Sequence, residues 1–116
     1  MPEPSDLDIL LVEDNPVDAE FTLRALRKTN LAIRVAHVKD GIEALEYMFG
    51  SGAHAQRRGR PPPRLALLDL NLPRLDGLEL LRRLRGDPRV HGMAIVMFTS
   101  SHDARDIAES YRLGAN

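Results

Sequence analysis

The stretch Leu67-Leu68-Asp69-Leu70-Asn71-Leu72-Pro73 brings a carboxylate to the end of an apolar run and places a proline shortly after it. The run from 65 to 68 is continuously apolar, which is typical of a strand buried on both faces of a parallel sheet. Asp69 then lies at the carboxyl end of this predicted strand, where ligands bind in open α/β sheets. An aspartate at this position can also simply cap the next turn, and this stretch alone leaves that alternative open.

A second acidic site follows another apolar run. The segment 8–12 is a candidate buried strand that ends directly on the pair Glu13-Asp14. Asn15 is predicted to cap a helix that begins at Pro16 and runs to about Asn30. The recurrence of acids at a strand end favours a chemical site over a simple turn cap.

The first predicted helix has an inward stripe and two flanking apolar residues. Ala19, Leu23 and Leu26 form the stripe at helical spacing. Val17 and Phe21 flank it, and we expect ordinary packing there rather than a docking surface, because scattered apolar residues are common.

Strands and helices alternate along the rest of the chain. The further elements predicted are a strand over 33–38, a helix over 41–49 opened by Asp40, a helix over 76–85, a strand over 94–98, and a helix opened by Asp103 and closed by Gly114. This alternation predicts an α/β fold with a parallel sheet in the flavodoxin-like order 2-1-3-4-5 and helices on both faces. At 116 residues the chain forms one domain.

Composition excludes several classes of function. The chain has no cysteine and a net charge of -1, which gives no field that would draw it to nucleic acid or an anionic membrane. Its four histidines lack metal-binding spacing, and neither a signal peptide nor an apolar run of the ~20 residues needed for a membrane helix is present. We expect a cytoplasmic protein without a membrane partner.

The segment 50–64 is predicted to be a surface loop, because the periodicity there gives way to Gly, Ser, Arg and three consecutive prolines. Its Gly50-Ser51-Gly52 run lacks the lysine and the spacing of a phosphate loop. Its arginines are not interleaved with aromatic residues, which disfavours nucleic-acid binding.

The predicted strand order brings the acids together. The carboxyl ends of the first, third and fourth strands converge, so Glu13, Asp14 and Asp69 would share a cleft with Thr99 and Ser100. Crowded carboxylates repel one another and shift their pKa values unless a cation is present. A hard divalent ion such as Mg²⁺ suits oxygen ligands of this kind and can bridge to phosphoryl oxygens.

These motifs together resemble the receiver domain of two-component response regulators over nearly the whole chain. They are the acidic pair after the first strand, LLDLNLPRLDG around the third, FTSS after the fourth and LGAN after the last helix. The resemblance implies that Asp69 is the phospho-accepting nucleophile and Asp14 the principal Mg²⁺ ligand. It further implies that Glu13 is the second acid, acting through water, that Asn71 offers its backbone carbonyl to the metal, and that Thr99 is the switch hydroxyl.

The resemblance also implies a partner and an output. A sensor histidine kinase or a phosphotransfer protein would donate the phosphoryl group, and the output would be a signal rather than turnover. By this resemblance the chain would not be an enzyme, since it would catalyse only its own phosphoryl transfer and dephosphorylation. The Glu-Asp-Asn opening, Asp18 and the arginine-proline insertion look most like single-domain regulators partnered with bacterial phytochrome histidine kinases.

One departure from the family concerns a lysine at the end of a fifth strand. Neither Lys28 nor Lys39 can take that role, since they lie on the first helix and after the second strand. We therefore expect residues 1–116 to be a C-terminally incomplete receiver domain, without the fifth strand and fifth helix. The strand 94–98 would then be an apolar sheet edge, which invites pairing with a second molecule, such as in a homodimer.

Three other functional classes compete with this one. A dehalogenase-like phosphatase is disfavoured because Asn71, rather than an aspartate, lies two residues after Asp69. A flavodoxin-like cofactor carrier is disfavoured because acids occupy the place of an anionic phosphate. The alternative that stays open is a degenerate receiver that acts only as a protein-binding module.

Overall fold

The computed structural model describes residues 9–29, 33–69, 72, 74–90, 92–98 and 112. Within them, four strands, three α-helices and one 3-10 helix alternate along the chain. The elements are β1 (Ile9–Val12), α1 (Pro16–Thr29), β2 (Val35–Val38), α2 (Gly41–Phe49), the 3-10 helix (Gly52–Arg57), β3 (Leu65–Asp69), α3 (Gly77–Arg85) and β4 (Ala94–Phe98). The predicted last helix, 103–114, lies outside the described residues apart from Arg112.

The strands form one parallel sheet in the order β2-β1-β3-β4, which confirms the predicted flavodoxin-like arrangement. Val12, the last residue of β1, is in register with Val38 of β2 and Leu68 of β3. The residues that follow these positions, Glu13 and Asp69, therefore lie next to each other at the carboxyl edge of the sheet. The pairing register thus sets the distance between acids that are far apart in sequence.

Helices cover both faces, as in a three-layer sandwich. The connection from β1 to β2 runs toward one side of the sheet, whereas the connections from β2 to β3 and from β3 to β4 run toward the other side. Because such crossovers are right-handed, α1 lies on one face of the sheet and both α2 and α3 lie on the other. The period-2 alternation of strand residues matches this arrangement. The face toward α2 and α3 contains the main core, with buried Leu10, Val12, Ala66, Leu68 and Ile95 from the strands and Ala44, Met48, Leu80, Leu81 and Leu84 from the helices.

The first helix begins where the sequence predicts. The side chain of Asn15 caps it, with Oδ1 accepting hydrogen bonds from the amides of Val17 and Asp18. Ala19 is buried in the predicted stripe, but Val17 and Phe21 are 62% and 69% exposed. Val17 and Phe21 therefore flank the buried stripe on the solvent side of α1, and whether they form a docking surface stays a prediction.

Aspartates cap the other two helices. Asp40 accepts a hydrogen bond from the amide of Glu43, and Asp76 accepts from the amides of Leu78 and Glu79. Within the described part of the chain, no helix is both long and apolar enough to span a membrane.

The start of α2 packs closely against the loop that follows β3. A Cβ placed on Gly41 would lie 2.8 Å from Leu75 Cβ and closer still to the Leu75 carbonyl oxygen. This contact between α2 and the β3–α3 loop requires a residue without a side chain. Gly41 therefore helps to fix the loop that leaves the site-bearing strand.

We predict that Gly41→Ala destabilises the protein by about 1–3 kcal/mol, because the added methyl group forces the Leu75 backbone away from α2. Urea unfolding of the two proteins measures the loss. The matched control is Gly92→Ala, since a Cβ on Gly92 meets no described atom within 4 Å. Equal stability of the Gly41 and Gly92 variants would show that the loop yields without cost.

Candidate metal centre

Three carboxylates meet at the carboxyl edge of the sheet. Glu13 and Asp14 follow β1, Asp69 ends β3, and each offers an oxygen that lies within 4.8 Å of the other two. Glu13 is buried, Asp69 is partly buried and Asp14 is exposed. The structure therefore brings together the acids that the sequence predicts, in a cluster that opens to solvent on one side.

The backbone of Glu13 is held by the end of β2. Its amide donates to the carbonyl of Val38 at 3.1 Å, and Nε2 of His37 donates to its carbonyl oxygen at 2.7 Å. Its carboxylate is held as well, since Oε1 accepts from the amide of Asn15 at 3.0 Å. Glu13 consequently has little freedom to move away from Asp69.

His37 is a supporting residue that the sequence analysis did not assign. Its ring reaches the Glu13 carbonyl because β2 pairs with β1, and Leu11 and His37 are in register. Only the strand pairing reveals this contact, since 24 residues separate the two partners.

Burial raises the pKa of Glu13 to about 7. The hydrogen bond from the Asn15 amide opposes this shift, whereas the neighbouring Asp69 and Asp14 add to it. The predicted effect of crowded carboxylates is therefore a part of this shift, and burial is the larger part. Near neutral pH the Glu13 carboxyl group holds a proton in part of the molecules, and a bound cation would displace it.

The donor set fits Mg²⁺. It consists of hard carboxylate oxygens with no thiol in the chain, and the exposed side of the cluster leaves room for the waters that Mg²⁺ usually keeps. Two residues that the resemblance adds, Asn71 and Thr99, lie outside the described residues, as does Ser100. Their roles stay predictions.

The loop after Asp69 is tied to α2 by an ion pair. Nη2 of Arg74 lies 3.0 Å from Oδ1 of Asp40, the residue that caps α2. Arg74 has a positive φ of 65°, which is uncommon for a residue other than glycine. The sequence pattern does not indicate a role for Arg74, because neither its backbone conformation nor its distant partner leaves a signal in the local sequence.

The flavodoxin-like sheet and the acid cluster at its carboxyl edge define a receiver-type signalling domain. The family model described as the response regulator receiver domain matches residues 9–116, and the chain belongs to that family.

The chain is similar to response regulators of phytochrome systems. The response regulator Rcp1 from Synechocystis sp. is 33% identical over 108 residues, which cover 93% of this chain and 71% of Rcp1. The structure of the bacteriophytochrome response regulator AtBRR is 46% identical, with a TM-score of 0.83, and the match covers 96% of this chain and 79% of AtBRR.

Two further similar structures are of a phosphorylated relative and of a metal-bound relative. The phosphorylated cyanobacterial phytochrome response regulator RcpA is 37% identical, with a TM-score of 0.85 over 97% of this chain and 78% of RcpA. The Mn²⁺-bound form of Rcp1 is 33% identical, with a TM-score of 0.85 over 95% of this chain and 77% of the Rcp1 chain.

We predict that the metal-free protein loses stability as pH rises from about 4.5 through 7. The folded state holds the Glu13 proton more tightly than the unfolded state, since the folded pKa of about 7 lies above the usual 4.5, so the stabilisation present at low pH is lost above pH 7. The loss attributable to Glu13 is on the order of 2 kcal/mol between pH 5 and 8. Urea unfolding in EDTA measures it.

The control for this prediction is Glu13→Gln, which stays uncharged over the whole range and keeps an oxygen to accept from Asn15. The stability of this variant should vary less with pH than that of the wild type. Addition of Mg²⁺ to the wild-type protein at pH 8 should restore the stability that it loses in EDTA. Identical pH profiles for the two proteins would contradict the assignment of this titration to Glu13.

Proposed function

We propose that the chain is a cytoplasmic, phosphorylation-controlled signalling switch in which Asp69 accepts a phosphoryl group in a Mg²⁺-dependent reaction. The observation that carries this proposal is the convergence of the Glu13, Asp14 and Asp69 carboxylates within 4.8 Å at the carboxyl edge of the sheet. The phosphoryl donor is the phosphohistidine of a histidine kinase or of a phosphotransfer protein. The only reactions that we assign to the chain are the phosphorylation and dephosphorylation of its own Asp69.

The three carboxylates take different roles because their environments differ. Glu13 is buried and holds a proton easily, so it is a poor nucleophile and serves to bind the cation. Asp14 is exposed at the mouth of the cluster and takes the position of principal metal ligand. Asp69 ends a central strand with its carboxylate partly accessible, which suits a nucleophile held in one place.

In the proposed reaction an oxygen of Asp69 attacks the phosphorus atom, the P–N bond breaks, and the donor imidazole leaves with the electron pair. Positioning of the donor opposite Asp69 supplies most of the rate enhancement. Mg²⁺, held by Glu13, Asp14, Asp69 and the backbone carbonyl of Asn71, would neutralise the negative charge that accumulates between the carboxylates and the phosphoryl oxygens. The hydroxyl of Thr99 would then bind a phosphoryl oxygen and couple phosphorylation to the next loop.

Two relatives support this chemistry. RcpA was crystallised in a phosphorylated form and Rcp1 in a Mn²⁺-bound form, and both have the same fold as this chain. The similarity to RcpA and AtBRR also favours a phytochrome histidine kinase as the donor. The alternative is a degenerate receiver that only binds other proteins, and the presence of all three acids in one cluster argues against it.

The first experiment tests phosphorylation directly. We expect the wild-type chain, incubated with acetyl phosphate and Mg²⁺, to gain the mass of one phosphoryl group, and Asp69→Asn to gain none. Intact-mass spectrometry measures the adduct. EDTA should lower the rate at least tenfold, because the carboxylates then repel the incoming phosphate.

The matched control is Asp18→Asn, which removes a nearby exposed carboxylate that is not part of the cluster. It should be phosphorylated at the wild-type rate. A wild-type chain that gains no mass while a known receiver treated in parallel does would favour the degenerate alternative, and a modified Asp69→Asn would show that another residue is the acceptor.

The exposed apolar residues of α1 mark the surface on which we place the donor protein. Pro16, Val17 and Phe21 line a shallow cavity of about 340 Å³, together with Glu20 and Arg24. Pro16 comes two residues after Asp14, so this surface begins close to the acid cluster along the chain. A protein that delivers phosphohistidine to Asp69 must cover the surroundings of the site, and an apolar surface there gains free energy when it is covered.

We predict that Phe21→Asp slows phosphotransfer from a phytochrome histidine kinase at least tenfold and leaves phosphorylation by acetyl phosphate unchanged. The charge disrupts an apolar contact with the kinase but does not touch the acid cluster. Radiolabel transfer from the phosphorylated kinase gives the first rate, and intact mass gives the second. Ala53→Asp, an equivalent change at an exposed alanine of the 3-10 helix, serves as control and should leave both rates unchanged.

A further inference from the structure

The insertion 50–64 forms a cavity at the edge of the sheet opposite to the acid cluster. The helix α2 begins at the carboxyl edge and carries the chain to the amino edge, where this segment and the turn after α3 face each other. The nine residues of α2 span about 13 Å, so the two sites are separate. The cavity has a volume of about 560 Å³.

The segment that forms this cavity is built into the fold rather than lying loosely on it. Gly50 ends α2 in a left-handed conformation with φ 66°, and a Cβ there would lie 2.7 Å from the backbone of Arg57. The guanidinium of Arg57 stacks on the Tyr47 ring at 3.8 Å and donates from Nε to the Tyr47 carbonyl at 2.9 Å. A second hydrogen bond, from Nη2 to the carbonyl of Pro61, ties the proline run to the same arginine.

Four arginines line the cavity, and none of its other described lining residues is acidic. The lining consists of Met48, Phe49, Gly50, Ser51, Arg57, Arg58, Gly59, Arg60, Pro62, Arg89 and Val90. The charge of Arg89 is already matched, because its guanidinium stacks on Phe49 at 3.9 Å and forms two hydrogen bonds to Asp87. The hydrogen bonds of Arg57 go to backbone carbonyls, which leave its positive charge unmatched.

Arg58 and Arg60 are exposed at the rim of the cavity, and no ion pair links either of them to an acid among the described residues. Together with Arg57 they concentrate positive charge around one concave space, although the whole chain has a net charge of -1. Such an arrangement attracts anions and is maintained at every physiological pH, since arginine stays protonated.

We propose that this cavity binds a small anionic ligand that carries phosphate or carboxylate groups on an apolar body. The planar guanidinium groups can donate pairs of hydrogen bonds to either kind of anion. Phe49, which is partly buried, and Pro62, which is exposed, supply apolar contact area for the rest of the ligand, whereas Met48 and Val90 are buried. The volume lies within the 300–1,000 Å³ that is typical of sites for small molecules.

The cavity shares no residue with the acid cluster and lies at the opposite edge of the sheet. A ligand there contacts the carboxyl end of α2, whose amino end is tied to the β3–α3 loop through Asp40 and Arg74. We place the site outside the phosphoryl-transfer machinery, and Asp69→Asn should bind the ligand as the wild type does.

The experiment is a calorimetric titration of the chain in EDTA with ADP, pyrophosphate and citrate, and with adenosine as the neutral probe. We expect saturable one-to-one binding of at least one anion and none of adenosine at the same concentration. Binding of the phosphate compounds alone identifies a phosphate site, and equal binding of citrate identifies a general anion site. Binding should weaken as salt is raised, because the rim charges are exposed.

The test variants are Arg58→Glu and Arg60→Glu, both at exposed positions that should not affect folding. Each substitution should weaken the binding of the anion at least tenfold. Arg64→Glu is the matched control, an exposed arginine of the same segment outside the cavity, and should change the affinity less than twofold.

Three results would overturn the proposal. They are the absence of saturable binding of any anion at 1 mM concentration, adenosine binding as tightly as ADP, and equal weakening by Arg64→Glu and Arg60→Glu. Loss of anion binding in Asp69→Asn would show that binding depends on the acid cluster, which also contradicts the cavity assignment.

Discussion

Repulsion between like charges at the carboxyl edge of the sheet is the constraint on which the function of this fold depends. The register that places Val12 beside Leu68 forces Glu13 and Asp69 together, and burial of Glu13 prevents water from screening the pair. Burial is the largest cause of the raised pKa of Glu13, and the charges of Asp69 and Asp14 add to it. In the proposed reaction a divalent cation would relieve this repulsion, and a transferred phosphoryl group would change it again. The site would respond to both because the sheet holds the acids next to each other.

The surrounding structure supplies the rigidity that such a site needs. Glu13 is held by Val38, His37 and Asn15, while the loop after Asp69 is held to α2 by the close packing of Gly41 on Leu75 and by the ion pair of Arg74 with Asp40. These contacts fix the backbone on both sides of the site, and the hydrogen bond from Asn15 also holds the carboxylate of Glu13. An ion pair at an exposed position contributes little to stability on its own, so the Arg74 pair matters mainly for the path of the loop.

The sequence alone predicts the strand order, the helix caps and the three acids, because those features follow from local patterns and from the general handedness of parallel sheets. It also predicts the inward stripe of α1, since helical spacing separates Ala19 from Val17 and Phe21, which the structure exposes. It does not predict the contacts of His37 and Arg74, since their partners lie 24 and 34 residues away. The roles of Asn71 and Thr99 still rest on the resemblance to the family.

A parallel sheet has two unlike edges, and this chain places opposite charges at them. Acids follow the carboxyl ends of β1 and β3, whereas the unmatched arginines lie beyond the carboxyl end of α2, at the amino edge. The net charge of -1 does not indicate this separation, because the charges of the acid cluster and of the cavity arginines nearly cancel in the total. The α2 helix touches both regions, through Asp40 and Gly41 at its start and Phe49 and Gly50 at its end. The cavity and the acid cluster therefore lie at opposite ends of one helix and share no residue, so a ligand in the cavity contacts α2 without contacting the carboxylates.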